Sequence, residues 1–244
     1  MITTRSTRAL VAVTAALALV GTACGDDDKT TTPDATPEVT AADTTGATDT
    51  TAAPETTVAT NPYEGDLVGL FELTAGDCTS GVAGSWFQMV MPDGDAAAGP
   101  YIANADSLCT ADPNYSLLTP GTAGGLDTST LQVAPDPAYD ATGNGLAADI
   151  FAPVKFFGVD FAGAFDASGA APVLTATDGT IAGDLTAFTA YYGGQAFSQG
   201  AMVTGTVDAD TGAFVLEWSS LISGGSFDGF TGVWHLEGTF VPAD

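Results

Sequence analysis

The stretch GTVDADTGAFVLEWSS, residues 205–220, decides the fold. Asp208–Thr211 has the composition of a type I turn, and Gly212 can take the left-handed position of a bulge, so the segment reads as a hairpin. Its strands should end near Val207 and begin near Ala213. After the turn the side chains alternate. Phe214, Leu216 and Trp218 point one way and Glu217 the other. The same period of two returns in VWHLEGTFV, residues 233–241, where Trp234, Leu236 and Phe240 share one face and His235 and Glu237 share the opposite one. These six apolar residues are expected to face a single core.

Outward from this pair the pattern persists. In FFGVDFAGAF, residues 156–165, Phe157, Val159, Phe161 and Phe165 fall on one face of a strand. Further short runs occur in DLVGLFEL (66–73), SWFQMVM (85–91), PVLTAT (172–177), LTAFTAYY (185–192) and AMVTGTV (201–207). No sustained helical period appears. Short alternating strands punctuated by Gly, Asp and Pro predict an all-β body, a single sandwich or barrel-like domain over residues 63–244. Residues 105–150 are turn-rich and poor in alternation. A loop of that length inside a domain is expected to be functional or tied down.

The segment before the body has a different composition. Residues 25–62 lack aromatic side chains and almost all large aliphatic ones, which predicts a disordered Thr/Asp/Pro-rich tether. As a flexible chain it would span roughly 35 Å. At the N-terminus, Arg5 and Arg8 precede an apolar run from Ala9 to Val20, followed by Gly21, Thr22, Ala23 and Cys24. That run is too short to cross a bilayer and suits the apolar region of a secretory signal. It resembles a bacterial lipoprotein signal, with Val20 one place earlier than the usual aliphatic position. The resemblance implies removal of residues 1–23, diacylglycerol on the Cys24 sulfur, and a body held at the extracytoplasmic side of a cell membrane by a linker over residues 24–62.

Three cysteines are present: Cys24, Cys78 and Cys109. Acylation of Cys24 leaves one pair, and export supplies an oxidising compartment in which it can close. A Cys78–Cys109 bond would stabilise the fold by roughly 3–4 kcal/mol on the chain-entropy model.

Charge excludes several functions. From Cys24 onward, thirty acidic residues face only Lys29 and Lys155, a net of −28. Such a surface repels nucleic acid and anionic lipid headgroups. The scattered Asp residues read either as turn formers on a solvated surface or as a cation site. The best calcium candidates are Asp208 and Asp210, followed by PDGDAAAG at residues 92–99; neither has a complete ligand order.

Catalytic chemistry is poorly supplied. His235 is the single histidine, no G-x-S-x-G elbow occurs, and one His with two cysteines cannot build a tetrahedral zinc site. Glu217, His235 and Glu237 could share an exposed polar face if their strands are neighbours. Two carboxylates of a glycosidase would lie about 5–10 Å apart, with one buried.

The segment Glu217–Phe240 resembles a stretch of secreted bacterial β-domain proteins of unassigned function, which implies an exported β-domain and no catalytic residue. The expected function is therefore non-enzymatic, a binding or envelope-spacer role that needs no cofactor. The alternative is a calcium-dependent carbohydrate-binding or glycan-hydrolysing module, with Trp86, Tyr191 or Tyr192 stacking on sugar rings. A glycan or another envelope component is the expected partner besides membrane lipid.

Overall fold

The 205–220 stretch forms the hairpin expected of it. Val207 pairs with Phe214. One carboxylate oxygen of Asp208 accepts the N–H groups of Asp210 and Thr211 and the Thr211 hydroxyl, at 3.1, 2.8 and 2.7 Å. Gly212 takes φ 72°, the left-handed conformation of the bulge. The structure is a computed structural model describing residues 61–243. The signal, Cys24 and nearly all of the tether lie outside the described residues. The body begins slightly before residue 63: the Asn61 amide donates to the Ala209 carbonyl at 3.2 Å.

With 48% of the described residues in strands and 2% in helix, the protein is all-β. In chain order the strands are β1 (Gly65–Asp66), β2 (Gly69–Leu73), β3 (Trp86–Asp95), β4 (Gly99–Tyr101), β5 (Ser116–Leu117), β6 (Gly125–Asp127), β7 (Val154–Phe156) and β8 (Val159–Phe165). There follow β9 (Val173–Thr177), β10 (Thr180–Asp184), β11 (Phe188–Tyr192), β12 (Gln195–Ser198), β13 (Met202–Val207), β14 (Ala213–Leu221) and β15 (Thr231–Pro242). Eleven of them form one antiparallel sheet that curls into a half-barrel, in the order β1-β9-β10-β13-β14-β15 with β2, β3 and their partners beyond β15. The other four form a smaller sheet, β12-β11-β8-β7.

Strand β15 organises the large sheet. One edge pairs with β14 from Leu221↔Thr231 to Ala213↔Thr239. Its other edge is divided: β3 pairs with Thr231–His235 and β2 with Gly238–Pro242. Between these partners the buried Ser85 hydroxyl takes the place of a strand. It accepts the Glu237 N–H at 3.1 Å and donates to the Glu237 carbonyl at 3.2 Å. Gly238 follows because a Cβ there would run into the Glu72 carbonyl oxygen.

The inward faces meet the smaller sheet across one core. Phe214, Leu216, Trp218, Trp234, Leu236 and Phe240 are all buried, as the alternation predicts. Trp218 and Trp234 are direct cross-strand partners, with rings stacked at 5.7 Å and 8°. Trp234 also meets Phe87 at 4.5 Å and Phe188 of the smaller sheet at 5.0 Å. Burying a large apolar side chain contributes about 1.5–3 kcal/mol, so this aromatic cluster is the main source of cohesion between the sheets.

Two readings of the sequence need correction. Phe157 does not lie on a strand face: Phe157 and Gly158, at φ 49° and 82°, form a two-residue turn between β7 and β8, and Phe157 is exposed. Strand β8 is instead buried on both faces from Phe161 to Phe165. The reason is the 105–150 segment, which contributes β5 and β6 and then covers the smaller sheet. Ala134, Ala138 and Tyr139 pack on Ala162, Ala164 and Tyr191. It is tied there by the Phe165 N–H donating to the Gln132 carbonyl at 2.8 Å.

Many of the acidic residues are turn formers. Asp77, Asp95, Asp127, Asp140, Asp166, Asp184 and Asp208 each accept the N–H two residues on. Hydrogen bonds from Asn144 and Thr142 hold Asp140 far below the usual carboxylate range. Thr211 does the same for Asp208 to a lesser extent.

Ser85→Ala leaves the part-buried Glu237 N–H without its acceptor. It is expected to lower stability by about 1–3 kcal/mol, read from urea unfolding midpoints at unchanged slope. An unchanged midpoint would show that Ser85 does not bridge β2 and β3.

Candidate functional site

The outward face of the same strands carries the polar residues. Register alone aligns Glu217 of β14, His235 of β15, Trp86 of β3 and Leu117 of β5 in one cross-strand row. Directly paired residues share a face, so the alternation that buries Trp218 and Trp234 places Glu217 and His235 side by side on the outside.

The three residues that the sequence placed on one polar face do converge. His235 sits between the two carboxylates, with Nδ1 2.8 Å from Glu217 Oε1 and Nε2 3.3 Å from Glu237 Oε2. A neutral imidazole donates from one nitrogen, whereas the imidazolium donates to both carboxylates. Glu237 is held further by the Gly84 N–H at 2.8 Å. The His235 ring lies flat against Trp86, with centroids 4.8 Å apart and planes within 1°. Tyr115 meets Trp86 edge-to-face at 5.1 Å.

Beside this row runs an open groove of about 450 Å³, lined by Trp86, Gln88, Tyr101, Tyr115, Glu217 and Ser219 among others. Its volume is in the range of small-molecule and saccharide clefts. Tyr115 has its hydroxyl pKa raised, first by burial and then by the nearby Asp112. Four of these residues, Gln88, Tyr101, Tyr115 and Ser219, are not among the sequence expectations. The alternation of SWFQMVM puts Gln88 on the side of Trp86 and could have found it; nothing local marks Tyr101 or Tyr115.

The two carboxylates are separated by the imidazole. The Glu217 side chain is 62% exposed, and His235 lies between it and Glu237. The other proposed stacking residues are elsewhere. Tyr191 is buried against Tyr139, and Tyr192 packs on Phe156 and donates its hydroxyl to the Phe156 carbonyl at 2.9 Å.

The calcium candidates Asp208 and Asp210 lie in the β13–β14 turn. Among the described residues no three His, Cys, Asp or Glu side chains converge on a metal position. The loop around Asp208 and Asp210 spends an Asp208 oxygen on its own turn, and Asp95 likewise accepts the N–H groups of Ala97 and Ala98.

Cys78 and Cys109 are brought together but are free thiols in this structure, so the expected bond is present as a contact only. Hydrogen bonding with Cys109, followed by burial, pushes the Cys78 thiol up to about 11. Their contact joins the 77–85 turn, which supplies Gly84 to Glu237, to the segment that carries Tyr115.

No protein-family model matches the chain, and neither the curated proteins nor the solved structures contain a match to it.

Oxidation should convert the contact into a disulfide. Protein secreted under oxidising conditions is expected to show no titratable thiol at Cys78 or Cys109 and to be about 3–4 kcal/mol more stable than its reduced form. Two reactive thiols in that material would contradict the expectation.

Proposed function

We propose that this protein is a lipid-anchored, extracytoplasmic binding module that takes an uncharged glycan in the groove beside Trp86 and His235, without hydrolysing it. The observation that carries the reading is the groove itself: three aromatic side chains and a buried amide face a cleft bordered by a carboxylate whose orientation is fixed by histidine. Aromatic rings supply apolar faces for sugar C–H groups, and fixed acceptors orient hydroxyls. The net charge of the chain, −26, argues against an anionic glycan. Anchoring through Cys24 would place this groove at the envelope surface, and mass spectrometry of the native N-terminal peptide tests for the lipid.

The same geometry supports a reading without hydrolysis. Glu217 faces solvent, Glu237 is bound to Gly84 and His235, and the imidazole lies between the two carboxylates.

Calorimetric titration of the full-length protein with neutral oligosaccharides of glucose and of N-acetylglucosamine is expected to give saturable binding. Trp86→Ala and Tyr101→Ala should each weaken it about tenfold, the equivalent of one lost aromatic contact. Undiminished binding in both variants, or release of new reducing ends by the wild type, would overturn the reading.

A further inference from the structure

On the opposite face of these strands lies a second site. Between the two sheets is an apolar cavity of about 40 Å³, bordered by Phe87, Phe156, Phe161, Tyr192, Phe227 and Trp234. No polar atom is presented to it. The one polar residue in its wall, Gln199, is 1% exposed and has its hydrogen-bonding groups engaged. Its side-chain oxygen accepts from Ser220 at 3.1 Å and Trp234 at 3.4 Å, and its amide donates to the Ser198 carbonyl at 3.1 Å. A space with no unpaired polar partner does not hold water well and favours hydrocarbon.

The cover of this cavity differs from the rest of the core. It is the connection between β14 and β15, which carries a 3-10 turn at Gly225–Phe227. No residue of that turn is buried, although Phe227 borders the cavity. Gly224 and Gly229 flank the turn and Gly225 opens it, all three with positive φ. Outside it the exposed Phe157 lies 6.2 Å from Phe227, so the mouth of the cavity has an apolar rim.

We infer that this cavity is a binding site for the hydrocarbon chain or ring of a neutral amphiphile, entered by displacement of Phe227. Displacing Phe227 widens the space toward the aromatic rim and makes room that 40 Å³ alone does not provide. A net charge of −26 disfavours an anionic headgroup at the mouth. The site opens on the other face of the strands from the glycan groove, with Trp234 bordering both: Trp86 points outward from β3, and its neighbour Phe87 points inward.

The test is fluorescence titration of the full-length protein, purified without detergent, with the neutral probe N-phenyl-1-naphthylamine. Saturable one-to-one binding is expected. Ala190 also borders the cavity, and Ala190→Leu, which fills it, should weaken binding at least tenfold. Phe227→Ala, which removes the cover, should speed association at least several-fold. Glycan titration of the same variants should be unchanged, which separates failure here from failure of the groove. Absence of saturable binding in the wild type overturns the proposal. So does a folded Ala190→Leu that binds as tightly as the wild type, or a Phe227→Ala that associates no faster.

Discussion

The two tryptophans that join the sheets each bring an indole N–H into the core, and Gln199 answers both. Its backbone carbonyl accepts from Trp218 at 2.8 Å, and its side-chain oxygen lies 3.4 Å from Trp234 Nε1. Its own N–H donates to the Phe188 carbonyl of β11 at 2.9 Å. One residue at the end of the smaller sheet therefore satisfies the large sheet's most demanding side chains. An indole buried without an acceptor costs about 1–3 kcal/mol, so the sheets are held in one relative position by hydrogen bonding and are packed there by aromatic contact.

That constraint fixes the outer surface as well. Because Trp218 and Trp234 must face Gln199, the pleat forces Glu217 and His235 outward in the adjacent register. Strand β3 obeys the same rule, with Phe87 against Trp234 and Trp86 against His235. The proposed glycan groove and the apolar cavity are thus the two faces of a single set of strands. The division of β15 between β2 and β3 adds the remaining element: where neither strand pairs, Ser85 and Gly84 reach Glu237 and hold it beside the histidine.

Much of this was legible from alternation and turn chemistry. The Asp208–Gly212 hairpin and the six core positions on β14 and β15 follow from local sequence, because a half-buried antiparallel strand writes its burial directly into a period of two. The convergence of Glu217, His235 and Glu237 was legible only as a condition, since the pairing of β14 with β15 had to be assumed. The Asp178–Gly179 and Gly193–Gly194 turns carry a readable hairpin signal, and both pairs have positive φ. The Phe157–Gly158 turn does not, because phenylalanine rarely adopts that conformation and its neighbours suggest a strand. Nor could the cover formed by residues 131–147 be foreseen: it meets β8 and Tyr191 through small side chains brought together by the chain's long-range path. Tyr101 and Tyr115 reach the groove for the same non-local reason.

Native-state hydrogen exchange on the intact protein tests the central role of β15 most directly. If this strand and its aromatic face organise both sheets, the hydrogen-bonded amides of β14 and β15 around Trp218 and Trp234 will exchange only through global unfolding, with an opening free energy equal to that from denaturant. Faster exchange there than in β8 and β11, through an opening that leaves the smaller sheet protected, would contradict the account.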